Sequence, residues 1–553
     1  MVLNGNINKI NMAKYNKKKE VVIETTINHQ SGVSFKYDAK TELVAMLATG
    51  MENKFYEKES EKEQRLSRVI DELAKKDPTF VAKALVYYRS VVGQRSVTQY
   101  GATLLAKHLS GHPLGAKFYS KRSRNENKGG IIYRLDDMYE ITAAYMAKNP
   151  SKRKRKDGSP TLMLPNALKK GFKSAIESAD AYELAKYQAK GATVSLVDIF
   201  NLVHPVPRNA EMKKIFKQVI EGNLKQFNTV EDKNTKAGQD VAAKVKSGEL
   251  SKAQATVVLQ EAKEDNYAEL IKTRKIGYLA LLRNLRNILK NTGNAQLIDE
   301  ACALLTDQKL IRQSLVFPHQ IDIALEIMLT EFSSSQMSKF AKALNTAYEL
   351  AIPNLTELFT NGRTAVVWDT SASMTSHGTC SNANDKTSRV RFNSTAAEKA
   401  SLIGATLAKG IGADLYHFAS TCEQIKFNPN DSVNTIKKVG LGLTGRVGHG
   451  TSFNEIFRTL SKSGHQYDRI FIISDMQGGD SLVGSNDYKS YVQKNGQPYI
   501  YTIDLQGYGT TMFKPNTNKL IQLFGYGADI YEYVKVAEID PKIVLKAIEA
   551  IEI

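Results

Sequence analysis

Residues Thr364–Met374 have the sequence TAVVWDTSASM, a short apolar run that ends in Asp-x-Ser-x-Ser. Its β-branched and aromatic residues predict a buried strand. Asp369, Ser371 and Ser373 follow where that strand should end. Ligands of open α/β sheets bind beyond the carboxyl ends of the strands. The three side chains therefore predict a ligand site at a strand end.

Similar runs recur along the last third of the chain. The segments ADLYHFAS, DRIFIISD, PYIYTIDL and DIYEYVKV are short and rich in β-formers, and AAEKASLIGATLAKG has the pattern of a helix. Strands that alternate with helices indicate a doubly wound parallel sheet. The change of pattern after Pro353 places a domain boundary near residue 360.

Two further positions complete the predicted site. Asp475 directly follows the apolar run of RIFIISDMQ, and Thr451 lies in the glycine-rich GRVGHGTSFNEIF ahead of a helix. Asp369, Ser371, Ser373, Thr451 and Asp475 all offer hard oxygen atoms, which suit a cation that keeps some of its water. We expect a divalent ion, Mg²⁺ first and Mn²⁺ as the alternative. Because the site holds few negative charges, such an ion could also take an acidic ligand from outside.

Other interpretations of the motif fit less well. A phosphatase-type aspartyl nucleophile would want a second carboxylate two residues on, where Ser371 stands. A serine hydrolase would need a G-x-S-x-G elbow, which the sequence lacks. A structural polar turn would explain one loop but not three matching positions.

The preceding region, from about residue 38 to 350, follows a helical pattern. In DPTFVAKALVYYRSVV, Asp77 can cap a helix and Pro78 suits its first turn. The predicted buried stripe of that helix is Phe80, Ala84, Leu85 and Tyr88. Many amphipathic helices joined by short turns cannot share one globule, so stacked hairpins of the HEAT type are expected.

Composition and charge narrow the class of protein. The chain of 553 residues is 42% hydrophobic and 24% charged, as in soluble globular proteins. No apolar run is long enough to span a membrane, and the polar N-terminus does not resemble a secretory signal. Three widely spaced cysteines, Cys302, Cys380 and Cys422, predict free thiols in a reducing cytoplasm. A cytoplasmic location is therefore expected.

The positive charge is unevenly distributed. Residues 361–553 carry 20 Lys and Arg against 18 Asp and Glu, so +17 of the net charge of +19 belongs to residues 1–360. A basic domain beside a near-neutral one is typical of polyanion binding, with nucleic acid as the first candidate. A charge that serves only solubility is the alternative.

At family level, DTSASM, GHGTSF and IISDMQ resemble the metal-ion-dependent adhesion site of a von Willebrand factor A domain. That motif consists of Asp-x-Ser-x-Ser, a later Thr and a later Asp, and all five positions match. Residues 375–393, which include SHGTCSNANDKTSRVRF, resemble an inserted loop beside the site.

The segments DPTFVAKALVYYRSVVGQRSV, ALLRNLRNI and FPHQIDIALE, followed by such a domain, resemble the TROVE module of the Ro autoantigen family and its bacterial orthologues. The resemblance covers about residues 30–553. It implies a mainly α protein, a ring of HEAT-like repeats closed by the A domain. The expected division is a basic flexible tail (1–25), a TROVE helical-repeat domain (26–358) and an A-like domain (359–553).

The resemblance also implies partners. The family binds small noncoding Y RNAs on the outer surface of the ring. It takes single-stranded 3′ ends of misfolded structured RNA into the central hole, a role in RNA quality control. An exoribonuclease such as polynucleotide phosphorylase is an implied partner, and a monomer that does not bind membranes is expected.

Lys186, Lys190 and His204 fall where the family places its Y RNA contacts. The spacing of Lys186 and Lys190 would put both on one helical face, able to meet successive phosphates. His204, ahead of Pro205, would end a helix and offer a ring N–H or a stacking surface. A solvated lysine face and a histidine that bonds a carbonyl are the alternatives.

Further basic residues are candidates for RNA contacts. The helix around Arg283 should carry a cationic face opposite a stripe of Tyr278, Leu282, Leu285 and Leu289, which suits the wall of a pore. The cationic candidates there are Lys272, Lys275, Arg283, Arg286 and Lys290. The other candidates are Arg89, Arg95, Lys169, Lys170, Lys173 and the run KRKRK, Lys152–Lys156. Exposed charges and structural ion pairs remain the alternatives.

Three functions follow from these observations. The first is a noncoding-RNA-binding scaffold that is not an enzyme. The second is a metal-dependent RNA-cleaving enzyme that uses the Asp369 site, although most nucleases cluster more carboxylates. The third is an A-domain protein-interaction module in which RNA is incidental.

Overall fold

The computed structural model describes residues 24–52, 54–123, 126–150, 163–189, 191–224, 230–291, 295–331, 335–352, 359, 361–375, 395–515 and 517–553. The tail through residue 23, the KRKRK run, Lys190, Cys380 and nearly all of the predicted insert lie outside these residues. Cys302 and Cys422 are free thiols, as the sequence predicts. None of the helices within the described residues is long and apolar enough to cross a bilayer.

The first part of the chain is a succession of helices after an N-terminal hairpin. The hairpin strands are β1 (Thr25–Ile27) and β2 (Val33–Lys36), and a second short hairpin consists of β3 (Arg122–Ser123) and β4 (Lys128–Gly129). The helices are α1 (Ala39–Ala48), α2 (Glu59–Lys76), α3 (Pro78–Tyr87), α4 (Ser96–Leu105), α5 (Gly115–Phe118), α6 (Asp137–Lys148), α7 (Asn166–Ser178), α8 (Ala181–Lys186), α9 (Leu196–Val203), α10 (Ala210–Ile220), α11 (Val230–Lys246), α12 (Lys252–Lys272), α13 (Tyr278–Asn291), α14 (Ala295–Leu305), α15 (Gln308–Ser314), α16 (Pro318–Glu331) and α17 (Ser335–Ala351).

Helix α3 forms as the sequence predicts. The Asp77 side chain accepts a hydrogen bond from the backbone N–H of Phe80, and Pro78 occupies the first turn. The predicted stripe is buried. A π-helical turn follows, and it ends at Gly93 with φ +94°. A β-carbon at Gly93 would lie 3.2 Å from Leu315, so this turn packs closely against the region between α15 and α16.

The C-terminal part alternates strands and helices. Its strands are β5 (Thr364–Asp369), β6 (Asp414–Phe418), β7 (Cys422–Ile425), β8 (Arg469–Ser474), β9 (Tyr499–Asp504), β10 (Thr510–Thr511) and β11 (Leu520–Phe524). Its helices are α18 (Ala372–Thr375), α19 (Ala396–Ile411), α20 (Val433–Gly442), α21 (Phe453–Lys462), α22 (Asn486–Asn495), α23 (Asp529–Val536) and α24 (Ile543–Glu549).

Six of these strands form one sheet in the order β11-β9-β8-β5-β6-β7. All neighbours are parallel except β7, which pairs antiparallel with β6. Strand β5 lies in the interior of the sheet and is buried along its whole length. Trp368 fits against α19 and α20 because Gly404 and Gly440 have no side chain there; a β-carbon would lie 2.3 and 2.0 Å from its ring.

The prediction of a strand at DIYEYVKV is wrong, since this segment is helix α23. Ile530, Tyr531 and Val534 are buried, a spacing that suits one helical face rather than alternation. The edge strand next to β9 is instead β11, which the sequence analysis did not identify.

The N-terminal hairpin joins the C-terminal domain. Strand β2 pairs antiparallel with both β1 and β10, and Thr511 lies opposite Phe35. Residues 25–36 therefore pair with the A-like domain, although the sequence analysis began the helical domain at residue 26. Residue 358, on the N-terminal side of the predicted domain boundary, lies outside the described residues.

Both ends of the helical region contact the C-terminal domain. Near its start, the Lys83 ammonium donates to the carbonyl of Glu549 at 2.5 Å. Near its end, Lys437 of α20 binds Asp322 of α16 at 2.6 Å, and the Tyr348 hydroxyl lies 2.5 Å from Thr406 of α19. These contacts close the helical region onto the α/β domain, in agreement with the predicted architecture.

Candidate metal centre and nucleic-acid interface

The five predicted metal ligands lie at one edge of the sheet, at the end of β5 or in the segments next to the strand ends. Asp369 ends β5, Asp475 follows β8, and Thr451 precedes α21. All five side chains are buried, and those of Asp369 and Asp475 have no exposed surface. The parallel pairing of β5 with β8 brings the two carboxylates to the same edge of the sheet.

Asp369 is held by its neighbours. One carboxylate oxygen accepts from the backbone N–H of Ser371 at 2.8 Å, and the other accepts from the Ser474 hydroxyl at 2.6 Å. The Ser371 and Ser373 hydroxyls lie 3.3 Å apart. Burial raises the pKa of Asp369 to about 6, because the charged carboxylate loses its hydration.

Asp475 is hydrogen-bonded less completely than Asp369. Its Oδ1 accepts from the backbone N–H of Gln477 at 3.0 Å. No described residue makes a hydrogen bond of normal geometry to its buried Oδ2, and the Ser373 hydroxyl lies near the carboxylate. Burial raises the pKa of Asp475 well above its ordinary value, and the negative charge of Asp369 raises it further. A buried carboxylate oxygen without a partner is costly unless a cation neutralises it.

The residues present fit a divalent cation. Two buried carboxylates and three hydroxyls converge on this edge, and one carboxylate oxygen has no regular hydrogen bond from the part of the chain that the structure describes. No group of three or more His, Cys, Asp or Glu side chains that could hold a metal occurs within the described residues. The site is therefore of the few-carboxylate kind, unlike the carboxylate-rich clusters of most metal-dependent nucleases.

Three residues around this site lie outside the set predicted from the sequence. The Gln30 amide donates to the Thr451 hydroxyl at 2.9 Å, and the backbone N–H of His29 donates to the Gln477 side chain at 3.0 Å. The pKa of the Tyr56 phenol is raised by burial and by the negative charge of Asp475. These residues come from the opposite end of the chain, where no sequence pattern marks them.

Asp504, at the end of β9, is a fourth missed residue and one that a pattern could have found. It ends an apolar run in the same way as Asp369, and it is fully buried. Its carboxylate accepts from the backbone N–H groups of Gln506 and Gly507 and from the Tyr37 hydroxyl at 3.1 Å. These bonds satisfy Asp504 within the protein.

The lysines predicted on α7 form a basic surface next to His204. Lys170 is exposed, and Lys169 and Lys173 are partly exposed. Lys173 lies 3.9 Å from Glu177, whose carboxylate accepts from the backbone N–H of Val206 at 2.7 Å. Arg208 donates to the Glu177 carbonyl at 3.1 Å. The lysine face of α7 is thus tied to the loop between α9 and α10.

His204 ends α9, as the sequence predicts. It has φ +47° and ψ +65°, and its backbone N–H donates to the Phe200 carbonyl. The imidazole is exposed beside Pro205. The left-handed backbone directs the chain out of the helix. We call Lys169, Lys170, Lys173, His204 and Arg208 the basic surface.

The predicted pairing of Lys186 and Lys190 on one helical face is wrong. Helix α8 ends at Lys186, and Ala189 and Gly191 have φ values of +52° and +81°. The chain therefore turns before residue 190, which lies outside the described residues. Lys186 itself is exposed, with its ammonium 5.6 Å from the centre of the Tyr182 ring and 5.5 Å from that of Tyr187.

The prediction of an RNA contact at Arg89 is also wrong. The guanidinium is buried and binds both carboxylate oxygens of Asp137, at 2.8 and 2.9 Å from one nitrogen. Arg95 is partly exposed and binds Asp136 at 2.8 Å and Asp137 at 3.2 Å. Both arginines belong to a structural ion-pair network, the alternative that the sequence left open.

Helix α13 has the predicted apolar stripe, since Tyr278, Leu282, Leu285 and Leu289 are buried. Arg283 is exposed, and with the partly exposed Arg286 it lines a small cleft between α13 and α16. Lys272 ends α12, and Lys275 lies in the turn before α13, because the chain breaks at Arg274 with φ +52°. The predicted single cationic helix is therefore two helices. The Lys290 side chain lies outside the described set.

This combination of helical region and A-like α/β domain defines the class of protein. Residues 28–270 match the TROVE domain family. Among solved structures, the crystal structure of the Ro (RSR) protein of Deinococcus radiodurans matches with a TM-score of 0.53 and 15% identity, covering 91% of this chain and 100% of that one. A search of curated protein sequences gave no match. Residues 28–270 therefore resemble a TROVE domain, and the chain as a whole has the fold of that Ro structure.

Proposed function

We propose that this protein is a noncoding-RNA-binding scaffold that forms a ribonucleoprotein with a Y-like small RNA on its outer surface. The observation that carries the proposal is the basic surface, in which Glu177 of α7 contacts Lys173 and binds Val206 and Arg208 in the loop that follows the exposed His204. Lysines there would meet phosphates, and the imidazole would stack on or bond to a base.

The rest of the proposal concerns the second RNA and the partners. We further propose that single-stranded 3′ ends of misfolded structured RNA enter a central hole and contact Arg283 and Arg286 there. The protein acts as a monomeric cytoplasmic scaffold in RNA quality control and tethers an exoribonuclease such as polynucleotide phosphorylase. Support comes from the excess of +17 in residues 1–360 and from the TROVE match.

The A-like domain binds Mg²⁺ or Mn²⁺ through Asp369, Ser371, Ser373, Thr451 and Asp475, and it does not cleave RNA. Asp369 and Asp475 would hold the ion directly or through water, and the hydroxyls would complete its coordination. The ion supplies the positive charge that the buried carboxylates need.

The test is crosslinking followed by sequencing of the co-purified RNA, with wild type and with Lys170→Glu/Lys173→Glu. We expect stem-loop RNA to be enriched with wild type and reduced at least tenfold with the double variant. The control Lys494→Glu reverses an exposed charge on the other domain and should retain the RNA. A random RNA sample from wild type would refute the proposal.

A separate experiment tests the proposal that the protein does not cleave RNA. Purified RNA is incubated with Mg²⁺ and either wild type or Asp369→Ala, and its length is followed on a gel. We expect intact RNA in both cases. Cleavage that wild type performs and Asp369→Ala does not would establish the metal-dependent nuclease instead.

A further inference from the structure

The turn between β1 and β2 lies on the sheet edge that carries the metal site. Asn28 organises this turn, because its side-chain oxygen accepts from the backbone N–H groups of Gln30 at 2.9 Å and of Gly32 at 3.0 Å. Its side-chain nitrogen donates to the carbonyl of Gly478 at 2.9 Å. The side chain that shapes the turn therefore also fastens it to the loop after Asp475.

The backbone of the turn lies in close contact with the backbone of the loop after Asp475. A β-carbon at Gly32 would lie 2.1 Å from the carbonyl oxygen of Gly478. The Ser481 hydroxyl also donates to the carbonyl of Val33 at 3.3 Å. This close approach requires a glycine at position 32 and fixes where the residues of the turn lie.

Two of the predicted metal-binding loops contact the turn directly. The Gln30 amide donates to the Thr451 hydroxyl at 2.9 Å. The backbone N–H of His29 donates to the side-chain oxygen of Gln477. The backbone N–H of Gln477 in turn donates to the Asp475 carboxylate. A hydroxyl has two lone pairs, so Thr451 can accept from Gln30 and still coordinate an ion.

Aromatic side chains hold the same turn from its other side. The His29 imidazole stacks on Tyr56 with ring centres 5.2 Å apart and an interplanar angle of 6°. Tyr508 meets both rings edge-on, at 5.3 and 5.6 Å. The turn is therefore fixed over the site by polar contacts to one side and ring contacts to the other.

The charges at the site favour an internal ligand over an external acidic one. Asp369 and Asp475 together balance the charge of a divalent ion, and Gln30 adds a neutral amide beside it. A carboxylate from a partner would add a net negative charge to a buried place beside Gln30, which is costly.

We propose that Gln30 caps the divalent-cation site from within the chain, so that the ion fastens the N-terminal hairpin instead of binding an acidic partner. This inference rests on the metal site put forward under Proposed function. It departs from the sequence-based expectation that the ion takes an outside acidic ligand.

The first test asks whether an outside carboxylate reaches the ion. Mn²⁺ is added to the full chain with acetate as the probe, and paramagnetic relaxation of the acetate methyl protons is measured. With wild type we expect little relaxation beyond that of an outer-sphere complex. With Gln30→Ala we expect relaxation at least fivefold greater, because the cap is removed. Gln466→Ala, which loses one exposed amide bond far from the site, should match wild type.

The second test asks whether the ion holds the hairpin. Amide hydrogen exchange of a peptide covering residues 24–36 is measured with and without Mg²⁺. Mg²⁺ should slow this exchange at least tenfold in wild type and less than twofold in Gln30→Ala and Asp369→Ala. Gln30→Glu supplies an internal carboxylate, and we expect it to bind Mn²⁺ at least tenfold more tightly than wild type.

The outcomes separate the two proposals. Wild type that binds Mn²⁺ while acetate approaches equally in wild type and Gln30→Ala would overturn the cap and leave the metal site standing. Wild type that binds no Mn²⁺ at all by calorimetry would overturn the metal site, and the cap with it.

Discussion

At the scale of single residues, Asp137 is the polar centre of the N-terminal helices. It is fully buried, and it accepts hydrogen bonds from Arg89, from the Gln99 amide at 2.7 Å and from the backbone N–H groups of Tyr133 and Arg134. These bonds satisfy both carboxylate oxygens, so the charge is tolerated in the interior.

Replacement of Arg89 should therefore lower the stability of the fold. We expect Arg89→Ala to lower the free energy of unfolding by about 3–5 kcal/mol, because it leaves the buried charge of Asp137 with one strong partner fewer. Urea unfolding followed by circular dichroism measures this change. Lys170→Ala, an exposed lysine on α7, should stay within about 0.5 kcal/mol of wild type. Equal stability of the two variants would contradict the assignment.

The affinity of the metal site for Mg²⁺ should depend on pH through a single residue, Asp369. The raised pKa of Asp369, about 6, means that a proton competes with the ion for the folded site below that pH. We expect Mg²⁺ to bind at least tenfold more weakly at pH 5 than at pH 7.5, as measured by isothermal titration calorimetry. An affinity independent of pH would show that Asp369 is not a ligand.

At the scale of elements, α23 depends on a buried carboxyl group at its first residue. Burial raises the pKa of Asp529 to about 7, and the group lies near Tyr87, Tyr88 and Tyr533. Since this pKa is raised above the unfolded value of about 3.9, the protonated form stabilises the fold. That stabilisation is complete below about pH 4 and is lost as the pH rises through about 7.

Asp529→Asn should remove this dependence. Between pH 4 and pH 7.5 the free energy of unfolding of wild type should fall relative to the variant by about 2 kcal/mol, an estimate that discounts the full linkage value. Thermal unfolding across this range tests the prediction, with the single Trp368 as a buried fluorescent reporter. Parallel pH profiles for the two proteins would contradict it.

Elements were predictable where local pattern and burial agree. Strands β5, β6, β8 and β9 and helix α3 are confirmed because their burial follows the periodicity in the sequence. The segment of α23 failed because its aromatic and β-branched residues favour a strand while its tertiary packing favours a helix. Propensity alone cannot decide such a segment.

The residues of the candidate site were likewise predictable only where a local sequence pattern marks them. Its five predicted ligands follow strand ends or a glycine-rich loop, a rule that acts over a few residues, and the same rule would have found Asp504. Gln30 obeys no local rule, because only the pairing of β2 with β10 brings it to the site. Lys190 likewise depended on a helix that in fact ends at Lys186.

At the scale of the whole molecule, a buried lysine joins the end of the helical region to the A-like domain. The Lys437 side chain is 1% exposed, and its ammonium contacts Asp322 at 2.6 Å and Glu326 at 2.5 Å. Burial raises the pKa of Asp322, and the charge of Lys437 acts against that rise. Each group therefore needs the other to remain charged in the interface.

Lys437→Met should weaken this junction. We expect a loss of about 3–5 kcal/mol, because the buried Asp322 loses its main partner. The double variant Lys437→Met/Asp322→Leu should recover most of that loss, since it removes both buried charges and leaves only the partly exposed Glu326. Differential scanning calorimetry of the three proteins checks the order. A double variant less stable than Lys437→Met would refute the pairing as the cause.

The contact between Gln30 and Thr451 has a consequence for biosynthesis. The two residues are 421 positions apart, and translation proceeds at about 5–20 residues per second. Strand β10, which pairs with β2, begins at Thr510 and is translated later still, so the hairpin leaves the ribosome roughly 24–95 s before its docking site is complete. During that interval its β2 edge is unpaired and open to incorrect strand pairing. Synthesis of the last third of the chain is thus the step that ends this exposure, and slow translation there should increase aggregation of the nascent protein.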